Sequence, residues 1–205
     1  MTSNEFPRDV CDVTDKKRTE GRLRGLALAA SAITAAGASL AGVLQVITDQ
    51  AREIIGAHQA VTSVTIDQNW AQAIHAISLS DKYAPYRTYD TKADGSGIYS
   101  VVCRENRTMR MTQAELEAHP AWRGFGKEVG KHPPMRGWLA TPLIARDGTN
   151  LGLIQLSDKY EGEFTEEDEA ILVQLAQLAS LSIKRHRAAL VRWGRLSSSR
   201  DRRVV

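Results

Sequence analysis

Between Gly137 and Arg187 the chain alternates, reverses, alternates again and then changes to a helical rhythm, and this constrains the fold more than any other stretch. Leu139, Thr141 and Leu143 alternate with Trp138, Ala140 and Ile144, and Asp147-Gly148 then supplies a turn ahead of Leu151 to Leu156. Such a pattern predicts a β-hairpin, because the Gly can take the positive φ that a tight reversal needs. Thr165 next reads as an N-cap with Asp168 as its capping-box partner, and Glu166, Glu167 and Glu169 suit the positive end of a helix dipole. Ile171, Leu172, Leu175, Leu178, Ala179 and Ile183 form one apolar stripe, and Lys184, Arg185 and Arg187 stand where a last turn favours cations. A strand pair covered by a long helix is the expectation.

Upstream, Leu40, Val43, Leu44, Ile47, Ala51 and Ile54 keep helical spacing and Gly56 stands at the expected C-terminus. Val61 to Asp67 and Trp70 to Leu79 read as a first antiparallel pair joined through Asp67-Gln68-Asn69. Leu79-Ser80-Asp81-Lys82-Tyr83 recurs as Leu156-Ser157-Asp158-Lys159-Tyr160, which predicts the same exit turn after both strands. Ile98 to Asn106 reads as a short helix, Arg107 to Met111 as extended chain, and Thr112 to Glu115 as the cap of another helix. Pro120 to Arg136, rich in Gly, Pro and aromatic residues, is a long irregular connection of the kind that carries function.

The Phe-Thr-Glu-Glu-Asp helix start at 164–168, the Gly-Leu-Ile return strand at 152–154 and the Pro-containing strand before it resemble the C-terminal half of a GAF domain. With His132-Pro133-Pro134-Met135-Arg136-Gly137-Trp138-Leu139 before the hairpin and Gln155-Leu156-Ser157-Asp158-Lys159-Tyr160 in it, the chain is most similar to GAF domains that accompany PAS modules in bacterial sensor histidine kinases. The resemblance spans residues 38–187. It implies an α+β fold: a central antiparallel sheet of five or six strands, long N- and C-terminal helices on one face, short helices and loops walling a ligand pocket on the other. The expected division is a disordered basic N-terminal tail over 1–24, an N-terminal helix over 25–57, a GAF core over 58–187 and a basic C-terminal tail over 188–205.

Such a pocket would draw on Tyr99, Cys103, Trp122, Arg123, Arg136, Trp138, Thr141 and Gln155, which supply aromatic surface, two guanidinium groups and two uncharged polar groups. The plain alternative is that the tryptophans are core and the arginines solvated. Arginine would favour an anionic ligand. The ligand and any cofactor stay unnamed at this level.

Catalytic patterns are weak. His58, His75, His119, His132 and His186 show no metal-pair spacing, and His75, the one candidate heme ligand, is expected to be a hydrogen-bonded sheet histidine instead. A redox enzyme acting through Cys103 would need a resolving thiol, and the second cysteine, Cys11, lies in the tail. No Ser-His-Asp order or phosphate-cradling loop is present, so the chain is expected not to be an enzyme. Two cysteines in unlike settings point to a reducing, cytoplasmic compartment.

The uncharged run from Gly25 to Thr48 is Ala-, Gly-, Ser- and Thr-rich and lacks the drive to enter a membrane. Arg192, Arg195, Arg200, Arg202 and Arg203 could touch phosphates, yet no stacking platform accompanies them, and no nucleic acid partner is expected. Ala29, Ala32, Ala36 and Gly37 permit close helix approach, while Leu40, Leu44 and Ile47 supply apolar contacts, so a homodimer through the terminal helices is expected. The functional expectation is a small-molecule sensor that relays through those helices to a histidine kinase or other signalling protein; the alternative is a ligand-free dimerisation module.

Overall fold

The computed structural model describes residues 19–31, 39–66, 71–88, 96–124 and 131–201. The turn expected at Asp67-Gln68-Asn69 lies outside them, as do Cys11, Ala32, Ala36, Gly37 and the Asp94-Gly95 and Phe125-Gly126 segments. Five strands form one antiparallel sheet: β1 (Ala57–Ile66), β2 (Ala71–Leu79), β3 (Met109–Met111), β4 (Trp138–Ile144) and β5 (Asn150–Lys159), in the spatial order β2-β1-β5-β4-β3. Helix α1 spans residues 19–31, α2 Leu40–Ile55, α3 Ile98–Glu105, α4 Gln113–Ala118 and α5 Glu166–Asp201.

Alternation along β4 separates two cores. Leu139 and Leu143 join Val43, Leu44 and Ile47 of α2 and Leu172, Leu175 and Ala179 of α5 on one face. Trp138 and Ala140 join Val102 and Cys103 of α3 and Leu116 of α4 on the other. Residues 138–143 are therefore all buried, since both faces of this inner strand are covered. Pro142 lies beyond the last pair with β3, Met109 with Ala140, where its missing N–H interrupts no ladder on that side.

Helix ends follow their caps. Ser39, in an extended conformation, accepts from Gly42 N at 3.1 Å to start α2, and Gly56, at φ 76°, ends it with its N–H on Arg52 O. Thr112 and Glu115 form a reciprocal capping box on α4. Thr165 and Asp168 do the same on α5: Asp168 N donates to Thr165 Oγ1 at 3.2 Å and Thr165 N to Asp168 Oδ2 at 2.8 Å.

Three expectations are corrected. The N-terminal helix is not continuous over 25–57, because Ser39 caps a new helix that begins at Leu40. Residues 19–24, expected within a disordered tail, are the first turns of α1. Tertiary contact holds them: Arg22 pairs with Glu167 at the start of α5, Ala29 is buried in the main core, and Gly25 lets α1 lie against α2. A Cβ at Gly25 would come within 2.2 Å of Ile54 Cδ1. At the other end α5 runs to Asp201 rather than giving way to a tail at 188; the stretch holds no Pro, and Ala188, Ala189, Leu190, Arg192, Arg195 and Leu196 are good helix formers.

The repeated pentapeptides also differ. β2 ends at Leu79 and a 3-10 turn, Asp81–Tyr86, follows, whereas β5 continues through Ser157 and Asp158 to Lys159. β5 is inner and paired on both sides at Ser157, with Gln59 and Trp138; β2 is an edge strand with β1 alone beside it. Pairing on two sides keeps the second copy within the strand, although Asp158 itself takes a left-handed φ of 58°.

Candidate functional site

The face of the sheet toward α3 collects most of the expected pocket residues. Cys103 and Trp138 are fully buried in one apolar cluster, with Tyr99 and Trp122 packed half-buried against it. Trp138 Nε1 donates to Gln155 Oε1 at 2.9 Å, and Gln155, paired with Ala140 on one side and Val61 on the other, is half-buried. Thr141 is not among them. Its place between Leu139 and Leu143 turns it to the α5 side, where Thr108 Oγ1 donates to its hydroxyl at 3.3 Å. Arg123 and Arg136 are exposed, as expected of strongly hydrated cations with no buried carboxylate to meet.

The connection before β4 is fastened to this face. Gln59 Nε2 donates to Pro134 O at 2.6 Å, Arg136 N to Ser157 Oγ at 2.9 Å, and Ser157 Oγ to Gly137 O at 2.9 Å. Gly137, at φ 61°, gives its own N–H to Gln113 Oε1 at 2.8 Å. His132 Nδ1 lies 2.6 Å from Pro133 O, which only accepts, so the proton sits on Nδ1. Burial lowers the pKa of His132, only partly offset by that hydrogen bond.

A second polar group closes the end of the sheet where β1 starts and β5 finishes. Asp158, 6% exposed, accepts from Lys82 at 2.5 Å and from the Tyr83 hydroxyl at 2.6 Å. Its φ of 58° is one that Asp tolerates better than most side chains. Burial alone would raise this carboxyl, but the hydrogen bonds from Lys82 and Tyr83 outweigh it and hold the pKa low. Tyr83 is pushed well above its ordinary value by burial and by its bond to the carboxylate. His58 bonds Ser80 Oγ at 2.7 Å and packs on Tyr160 with ring centroids 4.6 Å apart. Its pKa is lowered by burial and by the Lys82 and Arg52 charges. Arg52 of α2 reaches both Tyr160 Oη and Ser78 Oγ at 2.8 Å.

Gln59 and the Asp158 group were not expected to act at the site. For the Asp158 group the repeat is the one signal, and its meaning is cross-contact: Lys82 and Tyr83 of the first copy bind the Asp of the second. Among the described residues, no three His, Cys, Asp or Glu side chains gather as a metal site and no helix is long and apolar enough to cross a membrane. The His75 side chain is outside the described part of β2.

Fold and family coincide. The GAF domain family model matches residues 37–184, and the chain belongs to the GAF domain family. Among solved structures it resembles the GAF domain of a phosphoenolpyruvate-protein phosphotransferase from Coxiella burnetii, with 22% identity, a TM-score of 0.69, and 84% of this chain and 98% of that one covered. The free methionine-R-sulfoxide reductase from Neisseria meningitidis, solved with its substrate, is similar at 15% identity and a TM-score of 0.65 over 92% of this chain and 97% of that one. The GAF domain of the Acinetobacter phosphoenolpyruvate-protein phosphotransferase follows at 17% identity and a TM-score of 0.63, covering 81% and 94%. At these identities the likeness shows the fold alone.

Proposed function

We propose that this GAF domain is a cytoplasmic small-molecule sensor that passes ligand occupancy through its terminal helices to a signalling protein such as a histidine kinase. The observation that carries this reading is the division of the sheet. One face meets α2 and α5 in a continuous apolar core, while the other presents half-buried Val61, Gln155, Tyr99 and Trp122 beside a connection pinned by Gln59 and Ser157. Concave sites combine apolar walls with a few placed polar groups, and this face offers both. Arg52 ties the end of α2 to β2 and to the residues after β5, so a shift on the ligand face has a polar route to the helices.

Thermal-shift screening with nucleotides, metabolites and heme tests the sensor, because a ligand that binds the native state alone raises the melting temperature. A ligand at about a hundred times its Kd adds roughly 2.7 kcal/mol. No shift across a broad library, with a partner's signalling intact, would favour the structural dimerisation module instead. The relationship to a free methionine-R-sulfoxide reductase gives the redox alternative its test: Cys103→Ser should keep ligand binding and signalling, and loss of a sulfoxide-reducing turnover in that variant would make the chain an enzyme.

A further inference from the structure

Resting on the sensor reading, we propose that Gln155 is the ligand anchor and that the ligand is an uncharged, largely apolar molecule bearing a carbonyl-type acceptor oxygen. An indole N–H can only donate, so the 2.9 Å bond from Trp138 Nε1 fixes the Gln155 amide with its oxygen toward the indole. Its Nε2 then points away from Trp138 with two hydrogens to give. Among the described residues nothing accepts from Nε2, although Gln155 is half-buried on an inner strand. Other polar groups of this face are committed: Gln59 Nε2 to Pro134 O, and Ser157 Oγ to Gly137 O and Arg136 N.

Space and charge agree with that chemistry. The side chains directly beside Gln155 are Ala140, fully buried in the apolar cluster, and half-buried Val61, which offers an apolar wall on the open side. Register places Gln59, Val61, Gln155, Ser157, Trp138 and Ala140 on this part of the sheet, and none carries a charge. At these strand positions an anion would lose its hydration with no cation on the strands to pair it, Arg136 of the preceding connection being exposed, whereas a neutral carbonyl accepts from an amide without that penalty. The indole holds the donor in place before the ligand arrives, which lowers the ordering cost of binding.

The experiment is a titration of the full chain, labelled with 15N, with benzamide, acetophenone, benzoate and ethylbenzene, following side-chain amide and indole N–H signals. Benzamide and acetophenone are expected to move the Gln155 amide pair, and ethylbenzene to leave it in place. Benzoate should bind about tenfold more weakly than benzamide, the equivalent of roughly 1.4 kcal/mol. Gln155→Leu, which keeps the volume, should weaken benzamide about tenfold with the Trp138 indole signal still dispersed; Gln155→Asn, one methylene short, reports the same loss if leucine does not fold. The proposal is overturned if neither carbonyl probe moves the Gln155 signals, if both variants bind benzamide as the parent does, or if benzoate binds as tightly as benzamide. Benzamide bound at Gln155 with α2 and α5 unchanged removes the relay and leaves the anchor. A ligand that raises the melting temperature without touching Gln155 does the reverse.

Discussion

Asp158 joins a buried carboxylate, a left-handed backbone and two donors at one position. Asp158→Ala removes the acceptor and the tolerance for φ 58° together, and should cost about 2–4 kcal/mol in urea denaturation, the lower end reflecting the partly exposed Lys82. Tyr83→Phe leaves Asp158 with its lysine, and about 1–2 kcal/mol is the expected loss. The pH dependence has a definite sign. His58 and His132 both titrate below their ordinary value in the fold, so in moderately acidic solution the unfolded chain binds more protons and stability rises with pH. Their contribution is full above about pH 6.5 and is lost as pH falls through the depressed folded values. Asp158, also lowered, adds a second loss beginning near pH 4. Denaturation curves from pH 7.5 to 4 should begin to slope below about pH 6.5, and His58→Gln with His132→Gln should flatten that segment. A slope unchanged in the double variant would assign it to other groups.

Elements are held by a few contacts that substitution can isolate. Gly152 pairs with Val64 on one side and Leu143 on the other at φ 143°, and a Cβ there would lie 2.0 Å from Ser63 O. Backbone on both sides cannot retreat, so Gly152→Ala should lose several kcal/mol, about 3 or more, read as failure of cooperative unfolding by circular dichroism. At the start of α5, Asp168 accepts from Thr165 and from the largely covered Lys159. Thr165→Ala should cost about 1 kcal/mol and Asp168→Ala more, because the second change also leaves the lysine without its carboxylate. Equal losses in the two variants would show that Lys159 gains nothing from the pair.

For the whole molecule, the dimer proposed from the sequence now has a sharper test. Helix α1 uses Gly25 and Ala29 against its own chain, while Leu23 and Leu28 of α1 and Leu181 of α5 stay 63%, 49% and 43% exposed. If two copies associate, α5 is the element proposed to carry the contact, since it extends 36 residues and its core positions among the described residues end at Ile183. Light scattering at tens of micromolar, on the order of the concentrations at which weak association shows, should report a dimer both for the full chain and after deletion of residues 1–37. A monomeric full chain rules the dimer out; a dimer lost on deletion moves the interface to α1.

Local rules made much of this fold legible in the sequence. Period-2 alternation, an Asp-Gly turn and the Thr165–Asp168 box act over a few residues, so the β4–β5 hairpin and the start of α5 could be read directly. Gly56 announced the end of α2 in the same way. Long-range contact decided the rest. Which face Thr141 takes depends on which side of β4 the helices cover, and Asp158 meets Tyr83 across 75 residues. The folding of residues 19–24 depends on Glu167 and Ile54, neither of which is near in sequence. The Gln155 amide has its orientation from an indole on the neighbouring strand, because side chains on paired strands meet in space without any spacing along the chain to mark them.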